Sequence, residues 1–150
     1  MWNLRDASVN DLSAVVDGNA AMAEETEGRT LDRETLRRGC EAVLNDPALG
    51  RYIIASSEDG EYAGQLMLTY EWSDWRAGMF WWIQSVFVAP AHRRKGVYRA
   101  LYEYVQQQAA AAENVCGIRL YVYETNERAK RTYKALGMDA CGYEVFETEL

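Results

Sequence analysis

The chain has one histidine, three cysteines and two prolines among its 150 residues. With a single imidazole and no Cys-x-x-Cys pair, Cys40, Cys116 and Cys141 do not make the four-ligand nitrogen and sulfur sets that hold zinc, so no metal is expected. Free thiols of this kind are expected to be reduced and buried or half-buried. Long apolar runs are missing as well, none approaching the ~20 residues that cross a bilayer, so no membrane partner is expected. The opening Met1-Trp2-Asn3-Leu4-Arg5-Asp6 has no basic stretch followed by an apolar one, so no secretion signal is read and a cytoplasmic protein is expected. Positive charge is also scarce. Sixteen Lys and Arg stand against 23 Asp and Glu, a formal charge of −7. That balance disfavours nucleic acid, whose binders need a broad basic surface, and suits a cationic small molecule better.

What remains is the composition of one ordinary globular domain over residues 1–150: 49% hydrophobic and 26% charged residues are enough for one core. Leu4 opens a short strand. Ser8 or Asn10-Asp11 caps a helix carrying Leu12, Val15 and Val16, and Asp32 caps another carrying Leu36, Cys40, Val43 and Leu44 that stops before Pro47. Between them Ala23–Arg29 reads as a polar, acidic linker. Three runs of β formers follow, Arg51–Ser57, Tyr62–Trp72 and Met79–Ala89, with turns at Glu58-Asp59-Gly60 and Ser73–Gly78, so an antiparallel meander is expected. After Pro90 the period changes to helical, with Val97, Leu101 and Val105 on one stripe; Gly117–Tyr123 then reads as a strand. Strand, helix and strand in that order place two strands parallel. Asn126 caps a last helix bearing Ala129, Tyr133 and Leu136, closed by Gly137, and Tyr143–Thr148 alternates as an antiparallel edge strand.

The junction Val86-Phe87-Val88-Ala89-Pro90-Ala91-His92-Arg93-Arg94-Lys95-Gly96-Val97-Tyr98-Arg99 carries the chemistry. A buried strand ends at a proline, a basic glycine-containing turn follows, and a helix begins. The first amides of a helix have no partner inside it and lie at the positive end of the peptide dipoles, so they attract phosphate. Gly96 lets backbone and phosphate approach closely, and Arg93, Arg94 and Lys95 reverse the sign of an acidic chain. Neither Gly-x-x-x-x-Gly-Lys-Ser/Thr nor Gly-x-Gly-x-x-Gly is present, which leaves nucleoside triphosphates and dinucleotides without their usual cradle. Taken alone, the turn reads either as a phosphate site or as a solvated connection.

Arg93 and Gly96, together with Asn126 and Tyr133 at a spacing of seven, make the chain resemble the GNAT superfamily of acetyl-CoA-dependent N-acetyltransferases. The family's signature runs Gln or Arg, two residues, Gly, one residue, Gly or Ala; Tyr98 departs from it at the last place. The resemblance implies an α/β fold, a mixed and mostly antiparallel sheet with a central parallel strand pair and flanking helices. It implies a pyrophosphate of acetyl-CoA held by residues 93–99, a pantetheine arm beside a bulged Val86–Val88, and an Asn126 that either caps its helix or holds the arm. Tyr133 would be the general acid, its phenol of pKa about 10 protonated at neutral pH; without the resemblance it reads as a core aromatic.

The acceptor would be an amine of a small molecule or peptide. Gln84 stands where the loosely similar spermidine/spermine branch carries a glutamate, and an amide accepts no proton, so the base is open among Glu24, Glu25, Glu27, Glu71, Asp74 and Glu124. His92 reads as a solvated turn residue. Trp72 and Trp75 beside Glu71 and Asp74 would wall a cationic amine or, equally, serve structure, a homodimer contact included. Glu25, with the hairpin acids, would lie near the open end of the splayed strands. A non-catalytic sensor that binds acyl-CoA is the rival reading.

Overall fold

The computed structural model describes residues 1–150. Five strands, β1 (Asn3–Asp6), β2 (Arg51–Ser56), β3 (Tyr62–Ser73), β4 (Gly78–Val88) and β5 (Val115–Leu120), form one sheet in that order. The first four are antiparallel neighbours and β5 runs parallel to β4. The helices are α1 (Leu12–Glu27), α2 (Arg33–Asn45), α3 (Val97–Ala111) and α4 (Glu127–Ala135). This is the mixed α/β fold expected of the sequence, with the meander and the parallel pair in place.

Strand alternation divides the core between the two faces of the sheet. Ile53 and Ala55 of β2 join Leu66, Leu68, Ile83, Val97, Leu101 and Val105 under α3, whereas Tyr52 and Ile54 join Val15, Val16 and Cys40 under α1 and α2. The stripe Val97, Leu101, Val105 is the face that α3 buries. Cys40 is buried, but Cys116 and Cys141 are exposed, contrary to expectation.

Two further expectations, both about elements, fail. The acidic segment after Ala23 is the end of α1: Glu24 to Glu27 are ordinary helix formers, and Gly28 closes the helix with φ 62°, its amide bonding to Glu24 O at 3.1 Å. Tyr143–Thr148 forms no strand; Tyr143, Val145 and Phe146 are exposed, the last at 91%. Alternation of apolar residues makes a strand only where an edge and a face receive it; here no strand pairs with the segment and its apolar side chains stay exposed, Tyr143 reaching only the Arg119 side chain of β5. The parallel pair therefore ends the sheet, with β5 at its edge.

Glycines set how closely strands approach. A Cβ on Gly64, which pairs with Val88 of β4, would meet Phe87 O at 2.7 Å and Val97 Cγ1 at 3.1 Å. Gly64→Ala should lower stability by about 1–3 kcal/mol through overpacking, measured by denaturant unfolding; an unchanged midpoint would show that β3 and β4 separate there without cost.

Candidate functional site

β4 is continuous with β3 along its length but leaves β5 halfway. Parallel pairing ends at Ile83 opposite Leu120. Two residues later β4 bulges: Gln65 faces Phe87 and Met67 faces Gln84, so Leu66 alone spans Ser85 and Val86. Ser85 takes φ 52°, a conformation few non-glycine residues adopt, as the extra residue of a bulge can require. Ala89 N bonds to Ala63 O at 2.9 Å, toward β3, and by alternation the polar groups of Val88 and Val86 face away from β3, where β5 would be.

A cleft of about 1380 Å³ fills the gap. Its walls are residues 83–88 of β4, Leu120 at the end of β5 with Tyr121–Tyr123 after it, α4 with its cap Asn126 and Tyr133, the turn before α3, and Met22, Glu25, Thr26 and Glu27 from the last turns of α1. Arg94 and Gly96 are left-handed at φ 62° and 82°, so the chain turns sharply into α3. Gly96 precedes α3 without a side-chain cap, leaving the first amides of the helix for an anion. A Cβ on Gly96 meets nothing within 4 Å; the glycine is required by its φ rather than by crowding within the chain.

The basic residues divide. Arg94 and Arg99 line the cleft, while Lys95 does not and gives its carbonyl to the Trp2 indole N–H at 3.2 Å. Arg93 is a strut, not a free cation: its Nε donates to Val88 O at 2.9 Å and its Nη2 to Glu25 Oε2 at 2.6 Å. The signature arginine thus ties the outward edge of β4 to the end of α1.

Tyr133 lies on the cleft wall, with burial pushing its phenol above the ordinary value, so it is protonated at neutral pH. Its ring tilts against Tyr98, 5.6 Å between centroids. Asn126 acts as the helix cap, its carboxamide oxygen accepting from Ala129 N at 3.1 Å. Gln84 reaches the cleft and donates to Thr69 Oγ1. Glu25 and Glu27 are the carboxylates on the walls.

Glu71, Trp72 and Asp74 are not brought to the cleft. They belong to the β3–β4 hairpin at the paired end of β4, where Glu71 faces Phe80 and bonds to Arg119 at 2.8 Å. His92 is also elsewhere, edge-on to Trp2 at 5.4 Å and 3.7 Å from Glu61, and is largely covered rather than solvated. The sequence reading overlooked Ser85, which carried no turn signal, and Tyr121–Tyr123, which it read as strand.

The acetyltransferase (GNAT) family model matches residues 16–138. A solved structure of a possible acetyltransferase from Clostridium difficile 630 is 41% identical, aligning 100% of this chain with 98% of its own at a TM-score of 0.93. Likeness of fold alone links two others. Ribosomal-protein-alanine N-acetyltransferase from Brucella melitensis biovar Abortus 2308 is 15% identical over 100% and 99% of the two chains, TM-score 0.80. A predicted acetyltransferase with acetyl-CoA from Clostridium acetobutylicum is 17% identical over 99% and 96%, TM-score 0.78. No curated protein matches the chain.

Proposed function

The chain belongs to the GNAT family of N-acetyltransferases, and from that membership we propose that it moves an acetyl group from acetyl-CoA directly to a primary amine of a small molecule or peptide, with Tyr133 as general acid. The observation that carries this reading is the cleft between β4 and β5, with the uncapped start of α3 on its wall. The two parts suit the two halves of the coenzyme. The amides of Val97, Tyr98 and Arg99 with the side chains of Arg94 and Arg99 would hold the pyrophosphate, and the outward edge of β4 at Val86 and Val88 would pair with the arm as a missing strand does.

Acetyl-CoA, when bound, supplies an activated thioester. The amides on the outward edge of β4 would hold the negative charge that develops on its carbonyl oxygen, an interaction worth about 3–4 kcal/mol per fixed donor in other enzymes. Tyr133 would protonate the departing sulfur. The carboxamide of Gln84 accepts no proton, so the acceptor amine would lose its proton to Glu27, to Glu25 if released from Arg93, or to water. A cationic acceptor would meet Glu25 and Glu27 at the α1 rim, without help from the hairpin acids. Direct transfer is supported because none of the three cysteines is on the cleft wall.

Gly96→Glu should abolish binding of coenzyme A measured by calorimetry, because it puts a negative charge at the phosphate position and strains a left-handed residue; unchanged affinity in the folded variant would mean the turn is only a connection. Tyr133→Phe should retain fold and coenzyme affinity while lowering turnover by roughly one to three orders of magnitude, with a sequential steady-state pattern in the parent protein. Equal turnover would remove Tyr133 from the mechanism, and a ping-pong pattern would contradict direct transfer.

A further inference from the structure

Tyr98 takes the place where the acetyltransferase signature has glycine or alanine, and its surroundings are unusual. It is the second residue of α3, it contributes to the cleft wall, and its ring lies against Tyr102 at 6.3 Å and Tyr133 at 5.6 Å between centroids. Its hydroxyl is shielded from water and has no hydrogen-bond partner. A buried hydroxyl without a partner is uncommon and costly, and one beside a reacting group calls for an explanation. Burial first, then the neighbouring phenol of Tyr133, pushes Tyr98 well above the usual tyrosine range, so it keeps its proton whenever Tyr133 loses one.

The neutral Tyr133 oxygen can accept but holds no bond from Tyr98 at rest; a bond to a charged oxygen is roughly twice as strong, so the charge that develops on Tyr133 draws the Tyr98 hydroxyl onto it. An interaction made only as charge develops raises turnover without tightening ground-state binding. We propose that Tyr98 is a positioning residue for Tyr133, its hydroxyl donating to the Tyr133 oxygen as that oxygen gives up its proton. This rests on Tyr133 being the general acid. In the step the Tyr133 O–H bond breaks and an S–H bond forms on the leaving coenzyme. The Tyr98 proton stays on Tyr98 throughout, and the Tyr133 phenolate recovers a proton from water after the product leaves. The burial that makes Tyr133 a weaker acid is thereby offset.

The test is a cycle of Tyr98→Phe, Tyr133→Phe and the double variant, because the phenylalanine removes the hydroxyl and keeps the ring. Tyr98→Phe should lower kcat about tenfold with the KM for acetyl-CoA unchanged, and should have no effect in the Tyr133→Phe background. In protein labelled at the tyrosine Cζ, the Tyr133 resonance, assigned by its loss in Tyr133→Phe, should titrate higher in Tyr98→Phe by about one unit, since a donated hydrogen bond favours the phenolate. Tyr98→Phe should unfold at the parent's midpoint or above it, because the hydroxyl it removes is buried without a partner. Unchanged kcat and titration, additive effects of the two substitutions, or a loss explained by lower stability would each overturn the proposal. If Tyr133→Phe itself retains full turnover, the assignment of Tyr133 fails first, and the titration still reports whether the two phenols are coupled.

Discussion

The bulge at Ser85 and Val86 is the constraint on which the rest of the site depends. A strand paired on both edges has no backbone group to offer a ligand. By spending two residues against Leu66, β4 turns off the line that β5 follows, so the outward polar groups of Val86 and Val88 lose a strand partner while β3 continues to hold the other edge. Gly64 lets β3 follow the turn, since any side chain there would strike the Phe87 carbonyl. The strained φ of Ser85 is sustained by this packing.

The cradle is a continuation of the same device. Where β4 ends, a single helical turn at Pro90–His92 and two left-handed residues, Arg94 and Gly96, aim α3 so that its uncapped amides face the gap the bulge has opened. Arg93 locks the geometry by bonding to Val88 O and Glu25 together. One ion pair therefore links β4, the turn before α3 and the end of α1 at the rim of the cleft. A change at Glu25 would reach the turn before α3 and the edge of β4 through Arg93, so charge at the two ends of the cleft is not independent.

Much of the fold was legible because its signals are local. The runs of β formers in β2 to β4, the switch to a helical stripe after Pro90 and the glycine in a basic turn each sit within a few residues of what they specify. What was not legible depends on distance. Glu71, Trp72 and Asp74 follow the same hairpin as the cleft, yet the five residue steps from Ile83 back to Gly78, at about 3.3 Å each, carry them to the far end of the sheet. Glu24 to Glu27 look like a linker by charge, and only the glycine after them says that a helix runs on. Tyr143–Thr148 alternates like a strand, but alternation does not say whether an edge will receive it. The bulge left no mark because Ser85 and Val86 are unremarkable within a run of β formers.

In the proposed function the outward edge of β4 and the first turn of α3 together receive the coenzyme. Amide hydrogen exchange, resolved by residue with and without saturating coenzyme A, tests it directly. Slowed exchange is expected at Val86, Val88, Val97 and Tyr98, with the hairpin around Glu71 and Asp74 unchanged. Protection confined to the hairpin or to the C-terminal segment, with those four amides exchanging as before, would contradict it.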